Sequence, residues 1–146
     1  MSSELPALGS NVPGSNVTVG CDVVALHEIR ESENAFGERF LRRVFTDQEI
    51  AYCSGPDHTA RLAARFAAKE AVIKALTLTD VATPLREIEV VGDEMGIPRL
   101  MLHGSMARLA AQQGWMNVSV SLSHTDCHAM AVVAAAVNID HAATGA

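Results

Sequence analysis

The chain is 146 residues long, 49% hydrophobic and 19% charged, with a formal net charge of −6. That length suits one domain burying about 68–70% of its unfolded surface without help from disulfides or metals. The balance of apolar and charged residues excludes a disordered chain, and three widely spaced cysteines (Cys21, Cys53, Cys127) argue against a disulfide framework or a zinc site.

In chain order, residues 1–16 read as a flexible leader, with Pro6, Gly9, Pro13 and Gly14 among Ser and Asn. The leader lacks the basic start and apolar stretch of a secretory signal. The longest apolar run, 129–137, falls short of the ~20 residues of a membrane span. A cytoplasmic location and no membrane association are therefore expected. VTVGCDVV at 17–24 predicts a first strand. Residues 26–41 predict a helix in one or two pieces, because Gly37 interrupts the pattern. Thr46 with Glu49 three positions later predicts a capping box opening a short helix through Tyr52, and Gly55-Pro56-Asp57 ends it.

RLAARFAAKEAVIKAL at 61–76 carries the strongest helical signal, with no Gly or Pro and many good helix formers. On a helical wheel Leu62, Phe66, Ile73 and Leu76 fall in one arc, expected to face the core. Glu70 and Lys74, four apart, are neighbours on its flank. Residues 86–91 and 97–103 predict a hairpin about a turn near Asp93 to Gly96. A helix is expected over 105–113, stopped by Gly114. Val118, Val120 and Leu122 alternate with serines as in a strand with one polar face, and 128–137 is a final strand. Residues 138–146 read as a soft tail. Helices and strands mix without βαβ alternation, so the fold class is α+β, with a single domain over 17–137.

Charge is uneven. The span from Arg39 to Lys74 holds seven basic residues (Arg39, Arg42, Arg43, Arg61, Arg65, Lys69, Lys74) against four acids. A locally basic surface on an acidic protein suits a small anionic ligand or an acidic protein partner, whereas nucleic-acid binding would want a basic whole domain. Asp22 is a carboxylate in an otherwise apolar strand, costly there unless paired, facing solvent or bound to a cation. Glu70 reads either as half of a surface pair with Lys74 or as a second ligand. Two carboxylates beside a lysine are compatible with Mg2+, which takes one or two protein carboxylates and completes its octahedron with phosphate oxygens and waters. His124 follows the serine-rich strand and reads either as a strand-end hydrogen-bonding residue or as a phosphate contact. Cys21 lacks a histidine partner in the pattern and reads as a small apolar residue. P-loop, GxGxxG and HExxH patterns are absent.

VGCDVV, GERFLRRVFTDQE, RLAARFAAKEAVIKAL, IEVVGDEMGIPRLML and SVSLSH follow one another in an order that closely resembles the holo-[acyl-carrier-protein] synthase family, the small 4′-phosphopantetheinyl transferases. The resemblance covers about 17–137, and FAAKEAVIK with its upstream G-x-D and downstream S-L-S-H is its most specific part. It implies an antiparallel sheet packed against a long helix, assembled as a homotrimer with active sites between subunits. It implies transfer of the 4′-phosphopantetheine of coenzyme A to a serine of an apo acyl carrier protein, releasing adenosine 3′,5′-bisphosphate, in fatty-acid or polyketide biosynthesis. By the same resemblance Asp22 and Glu70 hold Mg2+, and Lys74 with Glu70 forms the catalytic pair. Arg65 and His124 touch the nucleotide phosphates, and Gly96 and Pro98 lie near the adenine. Arg30, Arg39, Arg42 and Arg43 would form the basic face for the acidic carrier protein. Two departures from the family pattern are Cys21 beside the aspartate and Ala64 where glycine is usual before Arg65. The other readings are a non-catalytic module of the same fold that binds coenzyme A or carrier protein, and a different Mg2+-dependent enzyme such as a pyrophosphate hydrolase.

Overall fold

β-Branched residues (Val17, Thr18, Val19, Val23 and Val24) extend the backbone of β1 (Ser15–Ala25), as their preference for pleated strands predicts. The computed structural model describes residues 15–78, 82–138 and 140, so most of the expected leader and tail lies outside the described residues. At the two ends of the expected domain the boundaries shift outward: β1 takes in Ser15 and Asn16, and the last strand runs to Asn138. The helical stretch after β1 is two pieces, α1 (Leu26–Phe36) and α2 (Glu38–Val44), divided at Gly37. Next comes α3 (Asp47–Tyr52) with a complete capping box. The Thr46 hydroxyl accepts the Glu49 N–H at 3.2 Å, and the Glu49 carboxylate accepts the Thr46 N–H at 3.0 Å.

The long helix α4 (His58–Ala75) follows, then a 3-10 turn at Leu85–Glu87 and the hairpin β2 (Ile88–Gly92) and β3 (Pro98–Leu102). The chain continues through α5 (Gly104–Gln112), β4 (Trp115–His124) and β5 (His128–Asn138). Two antiparallel sheets result, one in the order β1-β5-β4 and one of β2-β3. The class is α+β, with α4 laid on the inner face of the three-stranded sheet. No helix among the described residues is long and apolar enough to cross a membrane.

The packing of α4 differs from the expected arc. Leu62 and Leu76 are buried, but Phe66 and Ile73 are only partly so. The closest contact with the sheet is made instead by alanines, with Ala63, Ala67, Ala68, Ala71 and Ala75 all buried. Small side chains let helix and sheet approach, and Gly20 on β1 makes the approach closer still. A Cβ on Gly20 would overlap the Ala71 carbonyl oxygen and stand 2.9 Å from Ala75 N. Both obstacles are helix backbone that cannot give way locally. Gly20→Ala is therefore expected to destabilise the fold by about 3 kcal/mol, the upper part of the usual overpacking range. Urea unfolding of the purified variant reads this directly.

Lys69 also departs from the expected basic surface. It is 0% exposed. Its ammonium donates to Glu49 Oε1 at 2.7 Å, to the Leu85 carbonyl at 3.0 Å and to the Ile88 carbonyl. The second Glu49 oxygen accepts the Val90 N–H at 3.2 Å. The capping box thus does more than open α3: its glutamate also joins α3, α4 and β2 beneath the surface.

Candidate active site

Two groups of polar side chains are positioned by α4. Toward β1, Lys74 Nζ donates to Asp22 Oδ1 at 2.9 Å and to the Cys21 carbonyl at 3.0 Å. The Glu70 carboxyl is held above the ordinary carboxylate range, first by burial and then by the negative charge of Asp22, with Lys74 opposing. The Lys74 ammonium is held above the usual lysine range, chiefly by its hydrogen bond to Asp22. Asp22, Glu70 and Lys74 are therefore one electrostatic unit, although strand and helix are far apart in the chain. β1 is an edge strand, which gives Asp22 room for a polar partner at the sheet margin.

Toward β4, a cleft of about 370 Å³ is lined by Tyr52, Arg61 and Arg65, by Gly96 and Pro98 of the hairpin, and by His124 at the end of β4. Gly96 has a positive φ of 78°, in the left-handed region, which glycine adopts without steric cost. Asp93 braces this turn by accepting the Met95 and Ile97 N–H groups, both at 2.9 Å. Arg65, Gly96, Pro98 and His124 thus meet in one place. Ala64, the departure noted in the sequence, is buried and also lines the cleft.

The cross-strand register relates the two groups. Asp22 is opposite Ala131, which is opposite Leu122, another cleft residue. Two strand spacings put Asp22 and Leu122 about 10 Å apart on the same face, the face on which α4 packs. Arg65 and Glu70 differ by five positions, ~7.5 Å along the axis and well over a third of a turn around it. The carboxylate unit and the cleft lie on different flanks of the helix.

The donor set fits a hard divalent cation. Asp22 and Glu70 both offer carboxylate oxygens, the donors such an ion takes, and the Lys74 ammonium paired with Asp22 would have to share or give up that oxygen to it. No group of three or more His, Cys, Asp or Glu residues that could hold a metal occurs among the described residues.

Tyr52 and Arg61 were not singled out as ligand-binding residues from sequence. The only cue for Arg61 is its i,i+4 relation to Arg65. Tyr52 comes from a different helix and carries no local signal.

The arginines expected to form a basic face separate into two settings. Arg39 and Arg43 line a groove of about 390 Å³ with Ser32, Phe36, Phe40 and Val44. Arg42 is exposed beside Glu38 at 3.6 Å, and Arg30 is exposed on α1.

The profile of the 4′-phosphopantetheinyl transferase superfamily matches residues 18–132. The chain is 44% identical over 119 residues to the holo-[acyl-carrier-protein] synthase of Leptospira biflexa, covering 80% of this chain and 94% of that protein. It is similar in structure to an ACPS-CoA complex from Chronobacterium ammoniagenes, with a TM-score of 0.75 and 30% identity over 84% of this chain and 98% of that one. It also resembles the Helicobacter pylori holo-[acyl-carrier-protein] synthase in complex with coenzyme A, with a TM-score of 0.70 and 27% identity over 80% of this chain and 98% of that one.

Proposed function

The chain belongs to the 4′-phosphopantetheinyl transferase superfamily, and on that premise we propose that it moves the 4′-phosphopantetheine of coenzyme A onto a serine of an apo acyl carrier protein, releasing adenosine 3′,5′-bisphosphate. It is an enzyme of the holo-[acyl-carrier-protein] synthase kind. The observation that carries the proposal is the convergence of Asp22 from β1 with Glu70 and Lys74 from α4.

In the reaction the serine oxygen bonds to the phosphorus that carries the pantetheine arm, and the bond from that phosphorus to the nucleotide's phosphate breaks. Such a transfer depends on alignment and charge neutralisation more than on covalent help. Asp22 and Glu70 would hold Mg2+, which when bound supplies charge neutralisation at the pyrophosphate. Lys74 adds a positive charge where the leaving group develops a negative one. The serine proton must pass to a base at this site, and Glu70 or a water beside it can take it. Arg65 and His124 bind the nucleotide phosphates in the cleft, and Gly96 and Pro98 shape its wall.

Assembly as a homotrimer with composite sites is supported by two features. The outer face of the three-stranded sheet exposes Val17, Val19 and Val23 at 60–63%, together with Met130, and an exposed apolar patch of this kind marks an interaction surface. The carboxylate unit and the cleft, on different flanks of α4, suit a ligand shared between neighbouring copies.

The acyl carrier protein would dock on Arg30, Arg39, Arg42 and Arg43, its acidic surface complementing theirs. Arg39→Glu with Arg43→Glu is expected to raise KM for the carrier protein at least tenfold, with little change in KM for coenzyme A. The effect should shrink as added salt shortens the Debye length below about 8 Å. Steady-state kinetics in each substrate at two ionic strengths reads both effects. We assign the activity to fatty-acid or polyketide synthesis in the cytoplasm, without membrane or nucleic-acid binding.

The deciding experiment is mass spectrometry of an apo acyl carrier protein incubated with the chain, coenzyme A and Mg2+. A gain of one phosphopantetheinyl group on a serine supports the proposal. Binding without any gain in mass would favour the non-catalytic module, and cleavage of coenzyme A without an acceptor would favour a hydrolase.

A further inference from the structure

Arg65 is a buried cation without a counter-ion. It is 5% exposed, and no carboxylate stands within ion-pair distance of it among the described residues. Its NH1 donates to the Arg61 carbonyl at a long 3.4 Å, and its Nε, also buried, has no acceptor. A charge in this position needs compensation from somewhere.

The contact it does have is aromatic. The guanidinium carbon of Arg65 lies 4.3 Å from the centroid of the Tyr52 ring, and that of Arg61 lies 5.4 Å from it. Tyr52 ends α3 and is 48% exposed. Both arginines and the ring line the same cleft. The choice of an aromatic partner has a chemical consequence. A carboxylate would hold the guanidinium but neutralise it and occupy its N–H groups. A ring face holds the cation through its quadrupole and takes none of the donors. The planar fork stays oriented, positive and unsatisfied, ready for an anion arriving from the cleft.

We propose that Tyr52 is a positioning residue for ligand binding: its ring fixes the Arg65 guanidinium so that its free N–H donors meet a phosphoryl group of the ligand. This rests on the transferase reading for the identity of that ligand, coenzyme A. Tyr52 touches no reacting atom. Its loss should weaken binding and leave the chemical step alone.

The test is isothermal titration calorimetry with coenzyme A on the full chain, together with steady-state kinetics. Tyr52→Leu is expected to raise the Kd and KM for coenzyme A about tenfold, with kcat within about twofold of wild type. Tyr52→Phe, which keeps the ring, is expected to bind like wild type. In an Arg65→Gln background, which removes the charge but keeps a polar side chain, adding Tyr52→Leu should weaken binding no further. The half-exposed position of Tyr52 allows either replacement to fold, and equal unfolding midpoints check that. Wild-type binding with an unchanged Kd in Tyr52→Leu overturns the role of Tyr52 while leaving the transferase reading intact. So does an equal loss from Tyr52→Leu whether or not Arg65 is present. Failure of the wild-type chain itself to bind coenzyme A overturns both.

Discussion

Asp22→Asn and Glu70→Gln are each expected to lower kcat/KM for transfer by about a thousandfold, because several kcal/mol of charge stabilisation at the pyrophosphate goes with the cation site, at 1.36 kcal/mol per tenfold. Both replacements keep shape and remove charge. The fold should survive them. Asp22→Asn gives up a pair with the exposed Lys74 ammonium but keeps a polar side chain in place, and such a part-exposed pair contributes little. Glu70→Gln removes a charge that burial and Asp22 already disfavour, so it should be neutral or slightly stabilising. Thermal unfolding with and without Mg2+ separates metal binding from catalysis: the wild-type midpoint should rise with the ion, and neither variant should respond. A variant that retains both the rise and the activity would remove its residue from the site.

Glu49→Ala carries the largest expected effect on stability, about 3–5 kcal/mol, the cost of stranding one partner of a buried ion pair. Glu49 accepts from Lys69 Nζ, from the Thr46 N–H and from the Val90 N–H, so its removal leaves donors on three elements unsatisfied. Glu49→Leu combined with Lys69→Met removes both charges and should recover much of the loss, since apolar replacements of a buried pair are often tolerated. The pH dependence has a definite sign. Burial holds the Lys69 ammonium below the ordinary lysine range, and Glu49 pulls it back up. Between its folded and unfolded pKa values the unfolded chain binds more protons, so this group's contribution to stability rises with pH. Without Glu49 the folded pKa falls further and that window widens. The deficit of Glu49→Ala should therefore narrow as pH climbs toward ~10.4. Denaturant unfolding from neutral to alkaline pH measures it, and a deficit that grows with pH would contradict the ammonium's burial.

These cases mark where the sequence was legible. Strands and helices followed from period and propensity, and the Thr46–Glu49 box was readable because its logic is local. The same glutamate's partnership with Lys69 was not, because nothing on a wheel separates a lysine that reaches inward from one in solvent. The α4 arc was misplaced for a related reason: the wheel is weighted by large residues, whereas close packing on β1 is made by alanines that carry little hydrophobic contrast. The residues of the cleft and the carboxylate unit were named through resemblance; spacing alone left Asp22 and Glu70 open between surface pairing and metal binding. Tyr52 escaped because its role is defined by a guanidinium on another helix.

The cleft and the carboxylates sit on separate flanks of α4. If each copy lends its acids to one centre and its arginine to the next, every subunit serves two neighbours at once. A copy lacking only Asp22 and a copy lacking only Arg65 would then complement each other, because their mixed oligomers contain centres built from one intact pair of acids and one intact arginine.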